Sequence, residues 1–358
     1  MRYKIYRIVS VPVSRHAFLI FSLWCCTAYS AAPAGGFWEN DSSSTAYPAL
    51  TATQISAFMP TTRTTFQFPA PYGTTGARVT LPSDCPNSSN CVNYIGYSYW
   101  ARMNNSAGSP FMYIMVGLGN SSASGPGATI YKFDKDRDTM TKVGPLFAAG
   151  SANAGLSGEL MYFSYGHPDG LYFNEGDTSL KRINILTKAV TTIFNVGSYA
   201  SGDHIFACSS SADDKTHACI LEDASYNAIG CLVYHSDTGT FQDFPNSVLG
   251  SSDTVHQCHI GADGKFVILM GSNSPEVTAV GNLSTGATTV ISNSNGGGGH
   301  SDTGFGYYLQ NSNTYPGYGA TLLWNVSDLA AGGKPVFAEP YSTQCTGSTC
   351  YGAPGHPS

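Results

Sequence analysis

Beyond residue 90 the chain is organised by short runs of alternating apolar and polar positions, separated by turns rich in Gly, Asp and Thr. Such alternation places one strand face on a core. The clearest unit reads TVHQCHI (254–260), a turn at Ala262-Asp263-Gly264-Lys265, FVILMG (266–271), EVTAVGNL (276–283), a turn at Ser284-Thr285-Gly286, and TTVIS (288–292). Asp-Gly and Thr-Gly turns close hairpins because Gly accepts positive φ. The same order returns over 157–195 as ELMYFSY, Pro168-Asp169-Gly170, LYFNEG, SLKRINI, Leu186-Thr187-Lys188 and VTTIFN. A copy at 203–244 ends GCLVYHS, Asp237-Thr238-Gly239, TFQDF, and one at 94–143 ends ATIYKFD, a turn, MTKV. A fifth begins at Gly299-His300 and holds ATLLWNVSD (320–328) and PVFAE (335–339). Starts near 94, 157, 203, 255 and 300 give a drifting period of 45 to 63 residues.

A four-stranded unit recurring at roughly 40–50 residues is the mark of an all-β propeller, whose blades bury their faces against one another. The alternative is a β-sandwich whose turns merely look alike. Five blades are visible. Gly355-His356-Pro357-Ser358 resembles the start of a sixth, incomplete at the C-terminus, while TTFQFPA (64–70) and ARVTL (77–81) look like two strands without inner partners. The N-terminal strands are expected to complete the blade the C-terminus begins, because closure removes exposed edges. This favours a single propeller over 55–358 truncated at its C-terminal end; a five-bladed ring with a tail is the other reading.

Composition agrees. With 358 residues, 40 Gly, 22 Tyr and 18 Phe, 42% hydrophobic and only 11% charged residues, the chain is neither disordered nor a coiled coil. Residues 1–31 read as a signal peptide: Arg2, Lys4, Arg7 and Arg15 precede the apolar Ala17–Ala31. That run is short of the ~20 residues of a membrane span. Residues 32–54, rich in Ala, Ser, Thr, Pro and Gly, read as a linker or strap. Without the leader's four basic residues the net charge is −10, against a nucleic-acid partner. The mature chain is expected to be a secreted or periplasmic monomer, off the membrane, with an extracellular glycan or protein as partner. Eight cysteines remain in it, and neighbour-first pairing gives Cys85–Cys91, Cys208–Cys219, Cys231–Cys258 and Cys345–Cys350 among 105 possible connectivities.

There is no G-x-S-x-G, H-E-x-x-H, Walker or EF-hand pattern. Candidate chemistry is positional: His204, His256, His300 and His356 each open a repeat, where the innermost strand of a blade enters. Imidazoles from separate blades converging on a channel suit a divalent metal (Mn, Zn or Ca) or an anionic substrate; the competing role is hydrogen bonding that ties blades together. His300 and Asp302 share a strand face, as ligand and orienter; His256 and His259 do not share one. His167, His217 and His235 are expected to be solvated. Arg102, beside Tyr97, Tyr99 and Trp100, is a candidate for holding a carboxylate, an inter-blade ion pair being its simpler role.

The run from His259 to Lys265, the His167-Pro168-Asp169-Gly170 turn and Gly299-His300-Ser301-Asp302 resemble blade signatures of bacterial propellers of the TolB and oligogalacturonate-lyase type, across roughly 90–358. The resemblance implies a metal held by His256, His300 and His356, with His204 as base. The expected function is then recognition or processing of an extracellular polysaccharide through a His-lined channel. One form is a metal-assisted uronate lyase, with His204, Tyr99 and Arg102 catalytic and Tyr97 and Trp100 binding substrate. The alternative is a non-catalytic propeller that binds a glycan or protein, its histidines structural.

Overall fold

A computed structural model describes residues 48–85, 91–93, 101–106, 108–119, 127–148, 151, 153, 161–175, 177–250, 253–273, 277–291, 301–311, 320–329 and 337–340. The unit from Thr51 onward carries the described fold. It opens with a helix, α1 (Ala52–Phe58), which corrects the expectation of irregular chain through residue 54. The reason is a capping box: Gln54 N–H donates to the Thr51 hydroxyl at 3.2 Å, and Thr51 N–H donates to the Gln54 side-chain oxygen at 2.9 Å. Phe58 at its end packs on Phe66 and Phe68, with ring centroids 5.7 and 5.4 Å away.

Five four-stranded blades follow. The first has β5 (Phe111–Leu118), β6 (Gly127–Asp134) and β7 (Thr139–Pro145), with an inner strand split into β3 (Val92–Asn93) and β4 (Met103–Asn104), both paired to β5. The second runs β8 (Met161–Phe163), β9 (Gly170–Glu175), β10 (Ser179–Asn184) and β11 (Val190–Asn195). The third is β12 (His204–Ser210), β13 (Thr216–Glu222), β14 (Ala228–His235) and β15 (Thr240–Pro245). The fourth is β16 (Val255–Ile260), β17 (Phe266–Gly271), β18 (Thr278–Asn282) and β19 (Thr288–Val290), and the fifth β20 (Ser301–Thr303), β21 (Tyr307–Asn311), β22 (Ala320–Asn325) and β23 (Phe337–Pro340). Each strand pairs antiparallel with the next within its blade.

Burial explains why the middle strands do not alternate cleanly. Every residue of β17, and all of β13 but Glu222, is buried, because both faces of a blade meet other side chains; β15 is largely open to solvent. One core joins blades two, three and four through residues such as Tyr172, Ile220 and Leu269. A second joins blades one and two, and a third packs Phe266 and Ile268 against Tyr308 and Trp324.

The N-terminal strands lie against blade one. Among the described residues β1 (Thr65–Gln67) and β2 (Thr75–Ala77) pair with each other, and Thr64 bridges to Thr139 on the outer strand of blade one. Ala77 and Val79 cover Leu118, Tyr131 and Met140. The hairpin thus shields a face of blade one; the sixth blade expected at 355–358 lies outside the described residues. Beneath it, Asp84 accepts hydrogen bonds from Arg63, from Tyr131 at 2.9 Å and from Leu81 N–H at 2.9 Å, with Lys142 at 3.3 Å. Burial opposes ionisation of Asp84, yet these donors bring its pKa down to about 2.

Three of the four expected disulfides are present: Cys85–Cys91, Cys208–Cys219 within blade three, and Cys231–Cys258 between blades three and four. Cys345 and Cys350 lie outside the described residues. The bridges point to an oxidising compartment. Among the described residues no helix is long and apolar enough to cross a membrane.

Candidate functional site

The inner strands run in one sense, so their C-terminal ends gather at one face. There the ends of the inner strands of blades one to four are each hydrogen-bonded to the next blade. Asn104 donates to Pro168 O at 2.7 Å, Gly166 N–H to Asp214 at 2.7 Å, Ala212 N–H to Ala262 O at 2.8 Å, and Ala262 N–H to Gly304 O at 3.1 Å. The Ala-Asp-Gly-Lys motif at 262–265 is thus a latch between blades. Gly264 is needed in it, since φ is +67° and a Cβ would lie 3.3 Å from Ser211 of blade three.

Inside this belt is an axial pocket of about 40 Å³ to which all five blades contribute: Ala101, Tyr162 and Tyr165, Ser209 and Ser210, His259 and Ile260, Asp302 and Thr303. Its volume suits a few waters or a hydroxymethyl group. It adjoins a cleft of about 350 Å³ between blades one and two, lined by Met103, Asn104, Asn105, Ser106, Phe163, Ser164 and Ala212, with Ala101 and Tyr165 common to both. That cleft is of ligand size. Tyr165 and Met103 stand 56% and 60% exposed beside it, and Phe305, just after β20, is 70% exposed.

The electrostatics are sparse. Burial, partly offset by the Thr303 N–H, raises the pKa of Asp302. Burial and then the charges of Asp302 and Asp214 raise that of Tyr165. His259, 7% exposed, is held neutral by burial, its pKa lowered to about 4. Behind the pocket the Ser210 hydroxyl bonds Tyr162 OH at 2.8 Å and Nδ1 of His217 at 2.6 Å. His217 was expected to be solvated and is fully buried instead: its strand, β13, is the second of its blade and is enclosed on both faces. His167 is exposed and His235 half-buried.

Of the residues singled out by sequence, Asp302 lines the axial pocket. His204 begins β12, six residues before Ser210, so a rise of ~3.3 Å per residue puts it roughly 20 Å along the strand from the pocket. Its ring stacks on Tyr226 with centroids 4.0 Å apart, and Glu222 and Asp223 are electrostatic neighbours. His256 is exposed on β16. Arg102 donates to Met161 O at 2.9 Å, a tie from blade one to blade two. Tyr97, Tyr99, Trp100, His300 and His356 lie outside the described residues. Among the described residues no three of His, Cys, Asp and Glu come together as a metal site, so a bound divalent ion finds no donor set there. Sequence reasoning missed Tyr162, Tyr165, Ser210 and His259: the repeat pattern marks where inner strands start, whereas the pocket is built where they end.

No family model matches the chain, and no curated protein matches it in sequence. Among solved structures it is similar to an oligogalacturonate lyase in complex with manganese (11% identity, 78% of this chain and 84% of that one, TM-score 0.37). It is similar also to TolB from Acinetobacter baumannii (12%, 73% and 57%, 0.39) and to dipeptidyl peptidase 4 of Porphyromonas gingivalis (10%, 78% and 44%, 0.43). The likeness is weak and architectural, the one expected from the turn motifs, and carries no chemistry across.

Proposed function

We propose that this is an exported propeller that recognises a polysaccharide at the face where its inner strands end. The supporting observation is the ligand-sized cleft between blades one and two, lined by Asn104, Asn105, Ser106, Ser164 and Tyr165, with Asn104 and Ser164 already bonded to Pro168 O and Asp214. Amides and hydroxyls match sugar hydroxyls in both donor and acceptor roles, and an exposed aromatic face matches the apolar face of a sugar ring. The axial pocket would take a hydroxyl or hydroxymethyl substituent beside Asp302.

The test is direct binding of the full chain to a panel of soluble polysaccharides and their oligomers, read by calorimetry, with Tyr165→Ala as control. Saturable binding that the substitution weakens supports the reading; no binding across the panel refutes it. The same mixtures, incubated with and without added Mn²⁺ and followed in the ultraviolet, address the lyase form. Appearance of an unsaturated sugar would make the protein an enzyme rather than a binding module.

A further inference from the structure

We infer that the site discriminates against uronate at its axial end, with Asp302 as the residue that sets this specificity; the inference rests on the polysaccharide-binding reading above. Among the described residues lining the axial pocket and the cleft, Asp302 is the acidic side chain, since His259 is buried and neutral and the others are amides, hydroxyls or apolar groups. Asp302 is held in place by the inner strand of blade five, where its Oδ1 accepts the Thr303 N–H at 2.7 Å.

Neither Arg102 nor Lys135 lines the axial pocket, although Lys135 reaches two residues of the cleft. Arg102 points its guanidinium at Met161 O, and Lys135 bonds Asn105 Oδ1 at 3.2 Å and Ser106 O at 3.3 Å, on the cleft side. A sugar ring in the cleft that sends a substituent past Tyr165 therefore presents it to a carboxylate. A hydroxymethyl group there donates a hydrogen bond to Asp302; a second carboxylate meets like charge in a partly desolvated pocket, where screening is weak. The same backbone of sugar units, neutral or oxidised at that carbon, is thus sorted by one side chain, through a repulsive contact as much as an attractive one.

The experiment compares size-matched oligomers in low salt: glucose, galactose and mannose chains against glucuronate, galacturonate and mannuronate chains, each titrated into wild type, Asp302→Asn and Asp302→Ser. The asparagine keeps an acceptor for the Thr303 N–H, and matched thermal midpoints verify that each variant is folded. Wild type should prefer its best uncharged chain over the matching uronate chain at least tenfold, and both substitutions should shrink that ratio at least fivefold. Equal binding of neutral and acidic chains by wild type, or a ratio unmoved in both variants, overturns the inference while the polysaccharide reading stands. Failure of wild type to bind any chain overturns both.

Discussion

The Ser210 hydroxyl and Nδ1 of His217 lie 2.6 Å apart, and the same hydroxyl reaches Tyr162 OH at 2.8 Å on the neighbouring blade. This buried chain runs from the wall of the axial pocket into the core of blade three. Tyr172 packs edge-on against the imidazole, with centroids 5.3 Å apart. Its members are on inner and second strands of two blades, so the network reports whether those blades are correctly docked.

Acid should weaken the fold through its buried histidines. His217 and His259 protonate near 6.5 when unfolded but only at about 4 when folded, chiefly because burial penalises the charged ring. Between those values the unfolded chain binds more protons, so stability falls as pH drops from 6.5 toward 4 and is unaffected by these groups above that window. Each histidine removes about 3 kcal/mol by the low end. Urea midpoints at pH 7, 5.5 and 4.5 should decline in that order, less steeply in His259→Gln; a flat series would show that neither imidazole is buried neutral.

Asp84 should be a hot spot for attachment of the N-terminal hairpin. Asp84→Ala leaves Arg63 and Tyr131 without their acceptor and should cost about 3 kcal/mol or more. Limited proteolysis should then cut within residues 60–80 ahead of the blades. Wild-type resistance there would mean that packing of Ala77 and Val79 suffices.

Peptide mapping without reduction should recover Cys85–Cys91, Cys208–Cys219 and Cys231–Cys258. The last closes a loop with a sequence separation of 27 and joins two blades. Replacing both of its cysteines by serine should lower stability by about 3 kcal/mol. Free thiols at Cys231 and Cys258 in protein exported to an oxidising compartment would contradict the docking of blades three and four.

Tyr165→Ala should weaken binding of the preferred chain at least tenfold, about 1.4 kcal/mol, because the ring walls both the cleft and the axial pocket. Phe305→Ala should have a smaller effect, since Phe305 lines neither. Equal losses would shift the binding surface toward blade five.

What could be read from sequence was local. Hairpin turns such as Ala262-Asp263-Gly264-Lys265, strand runs such as FVILMG and cysteine pairs of small separation depend on neighbours along the chain, and from them came the propeller and three correct bridges. A tighter ruler was also present: the residue opening each outer hairpin turn, at Asp134, Asn184, His235, Asn282 and Asn325, recurs every 43 to 51 residues. At four of them a side-chain oxygen accepts N–H groups of its own turn. The drift in blade starts came from loops before the inner strands, whose lengths the hairpins do not constrain.

The site was another matter. Tyr162, Ser210, His259 and Asp302 are dozens of residues apart in sequence, and only the stacking of blades brings the ends of their strands to one mouth. His204 and Ser210 share a strand, yet one stacks on Tyr226 at its start and the other faces the pocket at its end. Sequence spacing marks a position within a repeat; which end of an inner strand opens on the ligand face is decided by how blades dock, through contacts between residues no local pattern connects.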